Sequence, residues 1–274
     1  MDRKIQAAAI SFAIFTALQS IASAQGNKPL TLDEILQRLD ANLDRYDRHI
    51  PSLFCDEHVV SQMEASGMRD QAMVTDSIYR LKRTQNADHT MSLVESRDLV
   101  KVDGKPPTSK NLEGPILLSG WFEAGFALIS RSQSTCTKYA LQKIHKDRPG
   151  EPFVVRFETV LTSQNATVCL LEEESSGRVF IDPETMQIKR LELVTPHHVI
   201  VPGDRYNSPL VGKRTLNIDY EPVELGGEAF WLPSTIVMQA TSGAGTFHLN
   251  TWSFRGIYSN YHKLQVTSRI LPMH

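Results

Sequence analysis

The sequence has 274 residues, 41% of them hydrophobic and 22% charged, and its 29 Lys+Arg against 31 Asp+Glu give a formal net charge of −2. A chain of this length can bury a substantial core. A near-neutral chain without a basic run lacks the charge pattern of a nucleic-acid-binding protein or of a protein attracted to an anionic membrane surface. We therefore expect no nucleic-acid partner.

The first 24 residues have the layout of a secretory signal peptide. Arg3 and Lys4 precede a mostly apolar run over residues 10–21, and Ala22-Ser23-Ala24 is a small-residue cleavage site. The residue after the predicted cut is Gln25 and not cysteine, so no lipid anchor is expected. We also expect no integral membrane segment, because no later apolar run is long enough to span a bilayer. The sequence predicts a periplasmic or secreted protein in which residues 25–274 form a single domain.

The chain contains three cysteines, Cys55, Cys136 and Cys169. In an oxidising compartment one pair can form a disulfide and one thiol remains. Three pairings are possible and the sequence does not select among them. All three residues can equally be small buried apolar side chains.

An amphipathic helix opens the predicted domain. Thr31 and Glu34 form a capping box, in which each side chain accepts a hydrogen bond from the backbone of the other residue. Helical spacing relates the apolar residues Leu32, Ile35, Leu36, Leu39, Leu43 and Tyr46. The pattern predicts a helix of about four turns that ends before Pro51 and rests one face on the rest of the domain.

From Phe54 onwards the apolar residues follow a period of two, which is typical of strands. The clearest hairpin lies within residues 177–195, where Asp182-Pro183 provides tight-turn chemistry between a short strand and a longer one that begins near Met186. We interpret residues 196–209 as a loop. Strands are predicted at residues 54–63, 75–83, 91–102, 136–145, 153–161, 167–171, 178–181, from 186, 215–220, 229–240, 246–254 and 264–270.

Residues 115–129 depart from this alternation. The segment is apolar on nearly all sides, contains Gly120 and Gly125, and is too short to cross a bilayer. We interpret it as a second helical segment that is buried, or that acts as a movable lid.

Hairpin-length connections require neighbouring strands to run antiparallel. We therefore predict a mainly β (α+β) fold with one large, curved antiparallel sheet of ten to twelve strands, an unclosed barrel. The amphipathic helix and residues 115–129 would cover the concave face.

No group of residues in the sequence forms a convincing catalytic or metal site. Cys55-Asp56-Glu57-His58 has suitable residue types, but on a strand Cys55 and Glu57 share one face while Asp56 and His58 share the other. His197-His198 is interpreted as a solvated loop pair. We expect no enzyme activity, no metal and no cofactor.

The order of these elements resembles the LolA/LppX/RseB-like class of periplasmic proteins, an unclosed β-barrel with a helical lid over an apolar cavity. The phrases FIDPETMQIKRLEL, GGEAFWLP and YSNYHKLQVTSRI are also similar to those of uncharacterised secreted proteins of acidobacteria. The resemblance implies a binding or carrier protein for a lipid-like or acylated ligand, including a lipoprotein.

The alternative function is an envelope interaction or regulatory module with a filled interior and an envelope protein partner. The candidate ligand-binding residues come from the two helical segments, in the apolar cavity or its lid: Leu36, Leu39, Leu43, Leu117, Trp121, Phe122, Phe126 and Ile129.

Overall fold

The structure, a computed structural model, describes residues 29–65, 69–85, 91–108, 121–142, 150–165, 167–171, 173–199, 210–241 and 250–264. The predicted signal peptide, residues 1–24, lies outside this part of the chain, so its cleavage stays a prediction. The helices are α1 (Leu32–His49) and α2 (Trp121–Ala127), followed by a 3-10 turn at Arg131–Gln133. The strands are β1 (Leu53–Ala65), β2 (Gln71–Gln85), β3 (Met91–Val102), β4 (Thr137–Leu141), β5 (Phe153–Thr159), β6 (Ser176–Ile181), β7 (Ile188–Val199), β8 (Leu210–Leu225), β9 (Glu228–Thr241) and β10 (Asn250–Lys263).

The ten strands form one antiparallel sheet in the order β3-β2-β1-β10-β9-β8-β7-β6-β5-β4. Every neighbour pair follows the chain except β1 and β10, which join the first meander to the last strand. The first and last places in this order belong to β3 and β4, so the sheet is unclosed. The predicted fold class, a single unclosed antiparallel sheet with few helices, is confirmed.

Alternate side chains along the strands separate an inner face from an outer face. We call the face that α1 and α2 cover the inner face, and the opposite side the outer face. On β2 the buried residues are Met73, Thr75, Ser77, Tyr79 and Leu81, at every second position. This alternation with period two is expected when one face of a sheet is packed and the other is wet.

The predicted hairpin joins β6 to β7. The Asp182 carboxylate accepts hydrogen bonds from the backbone N–H of Glu184 (3.1 Å) and of Thr185 (2.9 Å). Met186 has a φ of 55° in the turn, and the second strand begins at Ile188, two residues later than predicted. Ile181 and Ile188 are both buried on the inner face, so the hairpin feeds the core directly.

Two predictions about local structure were wrong. Residues 167–171 are not a strand, because Asn165 O accepts hydrogen bonds from the backbone N–H of both Val168 and Cys169 and curls the chain into a turn. Pro196, His197 and His198 do not begin a loop, because β7 continues through them in register with β8 as far as Val199. Residues 200–209, like residues 265–270 of the last predicted strand, lie outside the described part of the chain.

One of the three cysteine pairings is formed. Cys136 and Cys169 make a disulfide across a sequence separation of 33 residues, and it connects the start of β4 to the turn after β5. Cys55 is a free, buried thiol on β1.

Candidate functional site

Helix α1 lies on the inner face through a narrow stripe of side chains. Its capping box is present, with Glu34 Oε2 2.7 Å from the Thr31 backbone nitrogen. The helix is anchored by the Asn42 side chain, which donates to the carbonyl oxygens of Thr185 (3.0 Å) and Met186 (2.8 Å) in the β6–β7 turn. These bonds fix the middle of the helix over the half of the sheet that contains β6 and β7.

Helix α2 packs on the sheet through aromatic rings one helical turn apart. The Phe122 ring lies 4.9 Å from Tyr79 and 5.7 Å from Tyr258, measured between ring centroids. The Phe126 ring lies 4.9 Å from Tyr220 of β8. Residues four apart share one face of a helix, so both phenylalanines point at the sheet and are almost fully buried.

The second half of α2 also contacts α1. The ring centroids of Phe126 and Tyr46 are 4.3 Å apart, and Tyr46 in turn lies 6.4 Å from Phe230 of β9. Phe126 is therefore enclosed by α1 on one side and by the sheet on the other.

Gly125 allows α2 to approach the sheet closely. A Cβ added there would overlap the Tyr220 hydroxyl oxygen and would lie 3.2 Å from Ile218 Cδ1 and 3.4 Å from Leu191 Cδ2. The Tyr220 hydroxyl is buried and has no hydrogen-bond partner in the described part of the chain. Burial raises the pKa of Tyr220, so it stays protonated. A buried donor without a partner is costly, and this one faces the underside of α2.

Beneath the first half of α2 the inner face is polar. Glu57 of β1 is buried and accepts hydrogen bonds from the Ser77 hydroxyl (2.6 Å) and from Arg97 Nε (2.9 and 2.8 Å to its two oxygens). Burial opposes the charged form of Arg97, but the Glu57 carboxylate together with the nearby Tyr258 and Tyr79 more than offsets it, so the pKa of the guanidinium is raised. The Arg97 guanidinium also lies 5.0 Å from the centre of the Tyr79 ring, a cation–π contact. An ion pair thus lies among the rings that carry Phe122.

Cys55 lies on the same face of β1 as Glu57, as the strand period predicts. Burial, with the nearby Glu57 charge, raises the pKa of the Cys55 thiol to about 12. The thiol is therefore a neutral, unreactive group at ordinary pH.

His58 lies on the other face of β1, where its Nδ1 is 2.7 Å from the Asp76 carboxylate on β2. Cys55 and His58 consequently cannot act on one ion or one substrate. Within the described ranges, no three or more His, Cys, Asp or Glu side chains are grouped so that they could hold a metal ion. No helix of that part of the chain is long and apolar enough to cross a membrane.

The predicted ligand-binding residues converge only in part. Phe122, Phe126, Ile129 and Leu39 are buried between the helices and the sheet, whereas Leu36 and Leu43 are half-buried on α1. Trp121 is the first residue of α2, and Leu117 lies outside the described residues with the rest of 109–120. The helical part of the predicted segment 115–129 is thus described only for Trp121–Ala127. Their role in ligand binding stays a prediction.

Sequence reasoning missed the sheet side of the site. The surface on which α2 rests is formed by Tyr79, Tyr220 and Tyr258. Beside these rings, Arg97 forms an ion pair with the Glu57 carboxylate, which is almost fully buried. The period of two along a strand could have shown that Glu57 is buried, since Cys55 and Glu57 alternate in step with the apolar residues Leu53 and Val59.

Comparison with known proteins finds solved structures of low sequence identity and low TM-score. No protein-family model matches the sequence. No curated protein matches it either. Among solved structures, the chain is similar to a LolA superfamily protein from Nitrosomonas europaea, with 13% identity over 87% of this chain and 96% of that one, at a TM-score of 0.31.

A DUF1329 family protein from Desulfovibrio piger is similar to the same degree, with 13% identity over 86% and 94% of the two chains and a TM-score of 0.31. A tesB protein from Mycobacterium avium subsp. paratuberculosis has 9% identity and a TM-score of 0.14, over 82% of this chain and 85% of that one. At TM-scores this low, none of the three structures assigns a family or a function to this chain.

Proposed function

We propose that this chain is an exported, non-catalytic carrier that binds a lipid-like ligand or the acyl chain of a lipoprotein between its sheet and its two helices. The observation that supports this proposal is the packing of α2. A seven-residue helix lies on part of the inner face through stacked rings and apolar contacts. Contacts of this kind have little directionality, so an acyl chain can replace them at similar free energy.

The surface beneath α2 suits an amphipathic ligand. Under Phe126 it is formed by Leu191, Ile218 and Tyr220, which would contact an apolar chain. Under Phe122 it is formed by Tyr258 and the Glu57–Arg97 pair, which would contact a polar end. A site with mostly apolar walls and a few convergent polar groups is the usual form of a small-molecule site.

The unpartnered Tyr220 hydroxyl is a second observation in favour of α2 as a lid that moves. It has no partner in the described structure when α2 is in place. When α2 moves away, the hydroxyl can donate to an ester or carboxyl oxygen of a ligand, and the cost of its burial is removed. The closed arrangement therefore contains a free-energy penalty that ligand binding would relieve.

An alternative function is the envelope interaction or regulatory module with a filled interior. The close fit of Gly125 on Tyr220 favours it, because a permanent core helix is expected to fit tightly. In this alternative α2 never leaves the sheet, and the chain binds no acyl ligand.

The two functions are separated by Phe126→Asp, assayed for thermal stability and for uptake of a fluorescent fatty acid. Ala127→Asp is the matched control, because Ala127 is on the same helix but exposed. The carrier function predicts that Phe126→Asp stays folded and changes uptake, since α2 can leave the sheet with its new charge. A permanent core helix predicts loss of several kcal/mol of stability.

Native mass spectrometry of protein purified from its own envelope complements this test. A co-purified lipid or acylated peptide is the expected result. A wild-type protein with a clean apo mass and no uptake of the acyl probe would contradict the carrier function.

A further inference from the structure

The outer face of β4, β5, β6 and β7 contains a cavity that the carrier function does not use. Its volume is about 520 Å³, within the range of small-molecule pockets. It lies on the side of the sheet away from α1 and α2, because Arg156 and Arg178, which line it, alternate along their strands with the buried residues Val155 and Val179.

The register of the strands builds this cavity from two adjacent rows. One row runs across the sheet from Ala140 to Arg156, Arg178 and Glu192. The next row runs from Lys138 to Glu158, Ser176 and Val194 in the same strand order. The small side chains of Ala140 and Ser176 leave a hollow between the long charged side chains of the two rows. This hollow forms the cavity on the outer face of the sheet.

Two arginines lie side by side at this hollow. Arg156 and Arg178 are direct cross-strand partners on β5 and β6. Directly opposed like charges destabilise a sheet, so the pair calls for a compensating negative charge. Arg178 has one, because its Nε lies 2.8 Å from a Glu192 oxygen.

Arg156 has no such compensation. Lys138 and Glu158 pair with each other at 3.2 Å, which uses the neighbouring carboxylate. No carboxylate of the described residues lies within ion-pair distance of Arg156, and its side chain is exposed to the cavity. Among the described residues, the Arg156 guanidinium is therefore without a carboxylate partner, and it lies beside the paired guanidinium of Arg178.

We propose that this cavity is an anion-binding site for a phosphate group, held between Arg156 and Arg178 with Lys138 at its rim. Guanidinium groups bind phosphate oxygens in a bidentate fashion, and a tetrahedral phosphate has enough oxygens to accept from two of them. The phosphate can belong to a small soluble phosphoester or to a phospholipid headgroup. The apolar floor beside Ala140 and Val194 would accept the carbon part of either ligand.

Two variants remove the site in different ways. Arg156→Gln removes the free guanidinium. Ala140→Glu places a carboxylate directly across from Arg156 and neutralises it within the protein, with no loss of fold expected because Ala140 is exposed on β4. Arg255→Gln is the matched control, since Arg255 is an exposed arginine on the outer face of β10, outside the cavity.

The test measures binding of glycerol 3-phosphate by calorimetry and of phosphatidylglycerol-containing vesicles by co-sedimentation, at low ionic strength, with melting temperature as the check on folding. We expect Arg156→Gln and Ala140→Glu to weaken binding at least about tenfold, the loss of a charge-assisted pair, while Arg255→Gln retains it. Loss confined to the soluble phosphoester assigns the site to a free ligand, and loss confined to vesicles assigns it to a headgroup.

The proposal is overturned if neither probe binds the wild-type chain. It is equally overturned if all three variants bind as the wild type does, or if Arg255→Gln loses as much affinity as Arg156→Gln. The last outcome would mean general attraction by surface cations and no built site.

Discussion

At the scale of single residues, Gly125 and Tyr220 set how α2 meets the sheet. The glycine brings the helix backbone against a tyrosine ring that is buried together with its hydroxyl. An alanine at Gly125 would gain helix propensity worth about 1 kcal/mol. Overpacking a well-filled core costs about 1–3 kcal/mol, so the clash outweighs this gain. The distance between α2 and the sheet thus depends on the missing side chain at Gly125 and on the Tyr220 hydroxyl beneath it.

The Cys55 thiol provides a prediction about chemical reactivity. Its pKa is raised to about 12, chiefly by burial, so the folded protein should not react with a thiol reagent at pH 8. In denaturant without reductant we expect one reactive thiol per chain, since Cys136 and Cys169 are joined. A thiol titration in the folded and unfolded states measures both. Rapid reaction of the folded protein would contradict the buried position.

The same thiol makes a pH-dependent contribution to stability. A group whose pKa is raised by folding contributes stability below its unfolded pKa, and that contribution is lost as the pH rises towards the folded value. For Cys55 the loss runs from about pH 8.5, the ordinary cysteine pKa, to about 12.

At the scale of elements, two substitutions in the β6–β7 hairpin compare the contribution of the turn to stability with the contribution of core packing. Pro183→Ala should cost on the order of 1 kcal/mol, because proline only preorganises a turn that Asp182 already holds with three hydrogen bonds. Ile181→Asp should cost several kcal/mol, because it places an unpaired charge at a position with no solvent exposure. Thermal or urea unfolding of the two variants compares them, and equal stability would contradict a buried hairpin.

The disulfide should matter at the edge of the sheet that contains β4. It closes a loop of 33 residues, which in the chain-entropy model stabilises the fold by about 3–4 kcal/mol. We expect Cys136→Ser/Cys169→Ser to lower the unfolding midpoint accordingly, whereas Cys55→Ala leaves the disulfide intact. A double variant as stable as the wild type would show that the cross-link adds nothing to the fold.

Most strands could be predicted from local pattern, and the exceptions have physical causes. Val168 and Leu170 alternate like strand residues, yet both are exposed and the Asn165 turn and the disulfide determine their conformation. Pro196 predicted a loop because proline lacks an N–H group, yet pairing with β8 on both sides of it keeps β7 extended. Short-range pattern cannot weigh such long-range contacts.

At the scale of the whole molecule, the unclosed sheet was predictable but the site on it was not. The many short turns require antiparallel neighbours, so the sheet follows from the sequence. The Glu57–Arg97 contact joins residues 40 positions apart on β1 and β3. The Phe126–Tyr220 contact depends on pairing β1 with β10 and on where α2 comes to rest, and neither is encoded locally. The apolar residues on the two helices could be proposed from the sequence, because helical periodicity is visible within a short stretch of chain.

The central claim is that α2 is a lid that a ligand displaces, and its most direct test is the affinity for a fluorescent fatty acid in Gly125→Ala and Tyr220→Phe. When binding requires an open state, the apparent Kd equals the intrinsic Kd divided by the open fraction. Gly125→Ala destabilises the closed state and should tighten binding by about three- to tenfold. Tyr220→Phe removes the unpartnered hydroxyl, stabilises the closed state and should weaken binding, with the double variant between the two. If Gly125→Ala lowers the melting temperature while the affinity of both variants equals that of the wild type, α2 is a fixed part of the core and the account is contradicted.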